Sequence, residues 1–261
     1  MNRLPKISVV VPSLNKASFI KETLESIVTQ NYPNLEIIIQ DGGSTDGTIE
    51  IIKKYAKKYP DKINWESIKD KGQTDAINRG FKKASGQVMS YINADDLYEY
   101  GALKKVGEYF SKNPKTLWLA GRGKIINEKG IDISKWVTTY KNFLLSLNSY
   151  FLLLTTNYLM QPSVFIKRHA YLKYGPFKGT RKGVMEYDLW LALGKIQMPK
   201  VISETLASFR LTKGNLSAVN FETILSEDYK IARKYTKDPI ILFLHWLHNL
   251  GRVIILLTSK F

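Results

Sequence analysis

Two adjacent carboxylates, Asp95 and Asp96, close a short apolar run that begins at Gln87 and continues through Val88-Met89-Ser90-Tyr91-Ile92. The run reads as a buried strand. In an open α/β sheet, ligands bind in the crevice beyond the carboxyl ends of the strands. Two acids there can grip a divalent cation that in turn holds phosphate oxygens. Without the metal they would repel a diphosphate. The same pair also fits a loop turn with an Asp at a helix N-cap, just before the helical stretch 97–110. The pair alone does not decide between these readings.

The elements that must position it carry more information. Residues 7–11 form a continuous β-branched run without alternation, which fits a strand covered on both faces. Residues 35–40 and 63–68 read as further strands, and helical spacing fills 17–30, 49–59 and the stretch from Gln73 to about Ala84. Lys53, Lys54, Lys57 and Lys58 make the wet side of the second helix. Strands alternating with helices imply right-handed crossovers and a mostly parallel sheet. Pro12-Ser13, Asp41, Asp70 and Asp95-Asp96 then all fall at carboxyl ends of strands, on one edge.

Beyond residue 110 the pattern changes to a mixed extension. Strands are expected at 116–126 and 131–138, joined by the turn Asn127-Glu128-Lys129-Gly130. Residues 143–155 are apolar and either helical or buried. A short strand at 163–166 precedes a basic segment, 167–182, with six Lys or Arg and no acid. A helix begins at Glu186, short strands are expected at 199–203 and 206–211, and a helix at 221–235. The organisation is a first half, 1–115, a second half of the same domain, 116–238, and a terminal apolar or amphipathic helix, 239–261.

That terminal helix is almost wholly apolar from 240 to 257, apart from His245, His248, Asn249 and Arg252. These four share one narrow stripe. Eighteen helical residues span about 27 Å, near the roughly 30 Å of a bilayer core. A spanning helix would bury Arg252 at a cost of roughly 2.5–3.5 kcal/mol on insertion scales. An interfacial helix avoids that cost, and docking on the protein or a partner is the other alternative.

Charge and composition set outer limits. The 261 residues carry a net charge of +16, with 22 basic and 16 acidic side chains in 1–140 against 17 and 7 in 141–261. Such a field suits an anionic partner, whether membrane face, phosphorylated substrate or nucleic acid. The absence of cysteine excludes disulfides and thiolate chemistry. The start, residues 1–16, is not read as a secretory signal because its apolar run stops at Pro12. Basic and aromatic residues are spread along the chain, so no nucleic-acid partner is expected. A nucleotidyltransferase would want a Gly-rich loop after the first strand, where Pro12-Ser13-Leu14-Asn15 has no glycine.

The motifs resemble family 2 glycosyltransferases. They are Val9-Val10-Val11-Pro12-Ser13-Leu14-Asn15, Ile39-Gln40-Asp41-Gly42-Gly43-Ser44-Thr45-Asp46-Gly47-Thr48, Asp70-Lys71-Gly72-Gln73 with Asp75-Ala76-Ile77-Asn78, and Asn93-Ala94-Asp95-Asp96. The match is dense over the first 110 residues. It continues more thinly through Gln161-Pro162-Ser163, Glu186-Tyr187-Asp188-Leu189-Trp190 and Ser208-Phe209-Arg210.

The resemblance implies a GT-A fold, a Rossmann-like, mostly parallel sheet flanked by helices, and inverting transfer from a UDP- or GDP-linked sugar. Pro12 and Ser13 would wall the nucleotide, Asp41 would accept from the base, and Asp70 and Gln73 would border ribose and phosphates. Asp95 would reach the ribose or a metal-bound water, and Asp96 would hold Mg²⁺ or Mn²⁺. The family places an Asp base at the start of an acceptor-side helix. Here the aligned residue is Glu186, with Asp188 two residues on, so either is a candidate base. Relatives often carry a His after the Phe-Arg strand; here Arg210 or Lys213 could meet diphosphate instead. A glycan or lipid-linked acceptor at the inner face of the cell membrane, with the protein cytoplasmic and peripheral, completes the expectation. A nucleotide-sugar sensor without turnover is the alternative.

Overall fold

In the computed structural model, residues 3–179, 184–212 and 221–258 are described. A nine-stranded sheet runs in the order β3-β2-β1-β4-β8-β6-β9-β5, with β7 paired to β6. The strands are β1 (Ile7–Ser13), β2 (Leu35–Asp41), β3 (Ile63–Ser67), β4 (Val88–Tyr91), β5 (Leu97–Tyr98), β6 (Trp118–Ile126), β7 (Asp132–Ile133), β8 (Val164–Lys167) and β9 (Lys200–Arg210). The first four are mutually parallel where they pair. Beyond them β8 runs antiparallel to both β4 and β6, and β6 runs parallel to β9.

Both faces of the sheet are covered, which explains the unbroken apolar strands. Ile7, Val9 and Val11 of β1 enter a core with α1 (Ile20–Val28), α2 (Thr48–Lys58) and α4 (Ala102–Lys112). Val10, Ile38, Met89 and Tyr91 point the other way. They meet α3 (Gln73–Lys83), α6 (Tyr150–Thr155), α7 (Arg168–Tyr174) and α8 (Met185–Gly194). Helix α3 lies so close to β1 that a Cβ on Gly80 would sit 2.4 Å from Val10 Cγ1. Only a residue without a side chain permits that approach.

Three expectations are corrected. The helix read at 97–110 begins only at Ala102, after the short strand β5, so neither Asp95 nor Asp96 caps it. The strand read at 131–138 is β7 alone, and α5 (Lys135–Leu147) begins two residues later. Val137-Thr138-Thr139 has strand-like composition, but burial of Leu144 and Leu145 on the helix decides locally. The two strands read at 199–203 and 206–211 are one, β9. Its register against β6 shifts between Gly121 and Gly123, and that irregularity takes up the polar Ser203-Glu204 step which broke the pattern. Of the alternatives for the terminal helix, its polar stripe bears out docking on the protein: His245, Asn249 and Arg252 face it. In α10 (Pro239–Thr258), His245 and Asn249 are buried against α6 and against α9 (Phe221–Tyr235).

Candidate active site

A cleft of about 650 Å³ opens at the carboxyl ends of β1, β3 and β4. Pro12, Ser13 and Lys16 line it from the β1 loop, Asp70 and Gln73 from the loop after β3, and Asn93 and Asp95 from the loop after β4. Its far wall comes from the second half of the chain: Gln161, Glu186, Lys141 and Asp228. Pro12, Ser13, Asp70 and Asp95, expected on one rim, are therefore on one rim, whereas Asp41 and Asp96 do not line the cleft.

Asp41 stands just behind that rim. One carboxylate oxygen accepts the hydroxyls of Ser13 (2.8 Å) and Ser44 (2.5 Å). The other accepts the Gly43 and Ser44 amides and the Ser67 hydroxyl, at 3.0, 2.8 and 2.6 Å. Burial opposes its charge, but these donors, Ser44 and Ser67 foremost, outweigh burial and hold the pKa below the usual carboxylate value. The carboxylate ties the ends of β1, β2 and β3 together. Gly42 lets Asp70 lie alongside, since a Cβ there would be 2.7 Å from Asp70 Oδ2.

A relay of amides links the next two loops. Gln73 Nε2 donates to Asn93 Oδ1 (2.5 Å), and Asn93 Nδ2 donates to Asp96 Oδ2 (3.0 Å). The other Asp96 oxygen accepts the backbone N–H of Arg210 at 2.8 Å. Asp96 is fully buried, and it is Asp95, not Asp96, whose carboxylate borders the cleft. Burial and the neighbouring Asp95 charge push the Asp96 pKa well up, against the pull of the Arg210 amide. Asp95 is paired with Lys16 Nζ at 2.5 Å. The metal expected on Asp96 thus meets a carboxylate already committed to holding β9 against the β4 loop.

Arg210, expected at the diphosphate, is buried beneath that loop. Its guanidinium donates to the carbonyls of Asp95 (2.8 Å) and Glu128 (2.8 Å) and pairs with Glu22 at 2.5 Å. Lys213 lies outside the described residues.

On the far wall, the start of α8 presents Glu186 to the cleft. Its Oε1 accepts the hydroxyl of buried Tyr91, whereas Oε2 has no hydrogen-bond partner among the described residues. Burial raises the Glu186 pKa, with the Tyr91 hydrogen bond acting in the opposite direction. Asp188, about 200° further round the helix, accepts the Tyr235 hydroxyl at 3.0 Å and lies 3.7 Å from Lys234. It faces α9 and does not border the cleft.

On the far wall four polar residues, Lys141, Asn157, Asp228 and Arg252, escaped sequence reasoning as cleft residues. Lys141 donates to the Asn157 carbonyl (3.2 Å), and Asp228 pairs with Arg252 at 3.1 Å. Burial, with Arg252 nearby, lowers the Lys141 pKa to about 8. Burial raises that of Asp228 to about 6, with Arg252 opposing. No local motif marks these residues, because three separate helices and a loop bring them together.

The sequence signature described as Glycosyl transferase family 2 matches residues 8–175. The chain belongs to that family. This glycosyltransferase is 26% identical over 194 residues to an uncharacterized glycosyltransferase of Rickettsia felis, covering 74% of the chain and 32% of the relative. It is 34% identical over 110 residues to a PGL/p-HBAD biosynthesis glycosyltransferase of Mycobacterium bovis, covering 42% of the chain and 43% of the relative. The chain thus spans less than half the length of these curated relatives. Among solved structures, the mannosyltransferase PcManGT from Pyrobaculum calidifontis, in complex with GDP-Man and Mn²⁺, superposes with a TM-score of 0.72 at 19% identity. That match covers 99% of this chain and 77% of that one. Staphylococcus aureus TarS 1-349 in complex with UDP-GlcNAc gives 0.62 at 17% identity, over 96% and 81% of the two chains. The sheet is the GT-A glycosyltransferase sheet, with its mixed second half.

Proposed function

We propose that the glycosyltransferase moves a sugar from a UDP- or GDP-linked donor to an acceptor hydroxyl with inversion, assisted by Mg²⁺ or Mn²⁺. The observation that carries this reading is the single cleft shared by Asp95 and Lys16 on one wall and Glu186 on the other. Pro12, Ser13, Asp70 and Gln73 would border the nucleotide, and Asp41 would act on it through Ser13, whose hydroxyl it holds. Glu186 takes the proton of the acceptor hydroxyl on Oε2 as that oxygen bonds to the anomeric carbon and the diphosphate departs. Tyr91 fixes the carboxylate's orientation from Oε1. The raised pKa makes Glu186 the stronger base once it is ionised.

Asp95 fits a divalent cation of the kind held by one or two carboxylates together with substrate phosphates. No group of three His, Asp or Glu able to hold a metal by itself occurs among the described residues, so most ligands would come from donor and water. When bound, the cation supplies positive charge opposite the departing diphosphate. Lys16, already at Asp95, is a second positive group at the same place. A structural neighbour in complex with GDP-Man and Mn²⁺, and another in complex with UDP-GlcNAc, support a nucleotide-sugar donor. The acceptor would be a glycan or lipid-linked intermediate at the cytoplasmic face of the cell membrane, as in surface polysaccharide synthesis.

A thermal-shift screen of UDP- and GDP-sugars with and without Mn²⁺ tests the donor half. Ligand at a hundredfold excess over Kd adds about 2.7 kcal/mol, which for a chain of this size raises Tm by roughly 5–10 °C. No shift with any donor at millimolar concentration removes the reading.

A further inference from the structure

Helix α10 is amphipathic in reverse. His245 Nδ1 meets the Leu154 carbonyl at 2.8 Å, Asn249 donates to the Leu225 carbonyl at 3.2 Å, and Arg252 pairs with buried Asp228. The polar stripe therefore grips the protein. The opposite arc holds Ile240, Phe243, Trp246, Leu247 and Leu250, exposed at 67%, 58%, 51%, 47% and 40%. Helix α5 repeats the arrangement: Leu144 and Leu145 are buried while Trp136, Tyr140, Phe143 and Leu147, one face at helical spacing, are exposed. The rings of Tyr140 and His248 stack with centroids 6.0 Å apart, so the two helices touch at that point. Scattered exposed apolar residues need no explanation, but a contiguous patch marks an interaction surface.

Charge points to the occupant. Helices α5, α6 and α10 contain no Asp or Glu, and the chain has none from residue 133 to 185. Lys135 is exposed beside Trp136; before α10, Arg233, Lys234 and Lys237 are exposed against one acid, Asp238, whose carboxylate accepts the Ile240 amide at 2.8 Å. A two-fold contact between copies would bring such cationic margins together. An anionic headgroup layer accepts them, and Trp and Tyr suit the boundary between headgroups and acyl chains.

We propose that α5 and α10 lie in the surface of an anionic lipid bilayer, apolar arcs inward. No helix among the described residues is long and apolar enough to cross a membrane, and the inward-facing polar stripe leaves only one side of α10 for lipid. The inner faces of the same helices supply Val137, Lys141 and Arg252 to the cleft wall. Docking therefore sets the acceptor side of the cleft against the bilayer. The proposal rests on the transfer reading for its use, and on the exposed face for its existence.

The test is co-sedimentation of the full chain with vesicles of phosphatidylcholine alone and of phosphatidylcholine with 30% phosphatidylglycerol. Phe243→Asp on α10 and Phe143→Asp on α5 are exposed positions, and circular dichroism with a donor titration serves as the folding control. The expected result is binding to the anionic vesicles, reduced at least tenfold by each substitution, with donor titration retained. No pelleting with anionic vesicles overturns the proposal, as does pelleting that both variants retain. So does a dimer in light scattering that Phe243→Asp splits while vesicles go unbound, since the patch is then a self-interface. Loss of donor binding in the wild-type chain would instead sink the transfer reading and leave the membrane result standing.

Discussion

Neighbouring acids with opposite duties make the sharpest prediction. Asp96→Ala removes a carboxylate that is fully buried and accepts two donors, the Arg210 amide at 2.8 Å and Asn93 Nδ2 at 3.0 Å. Each buried donor left unpaired costs about 1–3 kcal/mol. The desolvation that raises the Asp96 pKa is relieved in the variant, which offsets part of the loss. A net loss of about 3 kcal/mol lowers Tm by roughly 6–12 °C for a chain of this size. Asp95→Ala removes a carboxylate at the cleft edge whose partner, Lys16, can turn to water. Its Tm should stay within about 3 °C of wild type, whereas the extra stabilisation that Mn²⁺ gives a matched nucleotide-sugar should disappear. Differential scanning calorimetry with and without donor and Mn²⁺ reads both quantities in one series. An Asp96→Ala protein of wild-type Tm that has lost the metal effect, beside an Asp95→Ala protein that keeps it, would refute the assignment and return the cation to Asp96.

Glu186→Gln should lower the transfer rate by at least a hundredfold with donor affinity kept, whereas Asp188→Asn should lose mainly stability; equal rate losses would remove the distinction. Burial raises the Asp228 pKa to about 6, so the folded state binds its proton more tightly than the unfolded chain. Its contribution to stability is therefore complete below pH ~4 and declines as pH rises to about 6. Urea midpoints measured across that window should show this slope, and Asp228→Asn should flatten it. Gly80→Ala would force a Cβ to 2.4 Å from Val10. Overpacking of about 1–3 kcal/mol should exceed the roughly 1 kcal/mol gain in helix propensity and lower Tm. An unchanged or raised Tm would mean that α3 can move off β1.

The rim was legible because parallel topology brings every βα loop to one edge, so placing four strands placed Ser13, Asp41, Asp70 and Asp95 together. Which of two adjacent carboxylates faces the cleft was not legible. Successive residues in the loop point apart, and the partner that turns Asp96 inward, Arg210, comes 114 residues later. Arg210 itself reads as a cation available to phosphate, because nothing nearby in sequence shows that Glu22 and three backbone carbonyls surround it. The stripe on α10 left an interfacial helix and docking on the protein both open, because its partners, Asp228 and the Leu154 and Leu225 carbonyls, belong to other elements. Lys16 had a usable signal, a basic residue three positions beyond Ser13 in a rim loop.

Arg210 also constrains the order in which the molecule can mature. A nascent chain that has emerged only as far as residue 200 already contains every nucleotide-side loop, yet it lacks the brace that turns Asp96 inward and fastens the Asp95 carbonyl. Competence to hold donor should therefore arrive only when β9 slots in between β6 and β5.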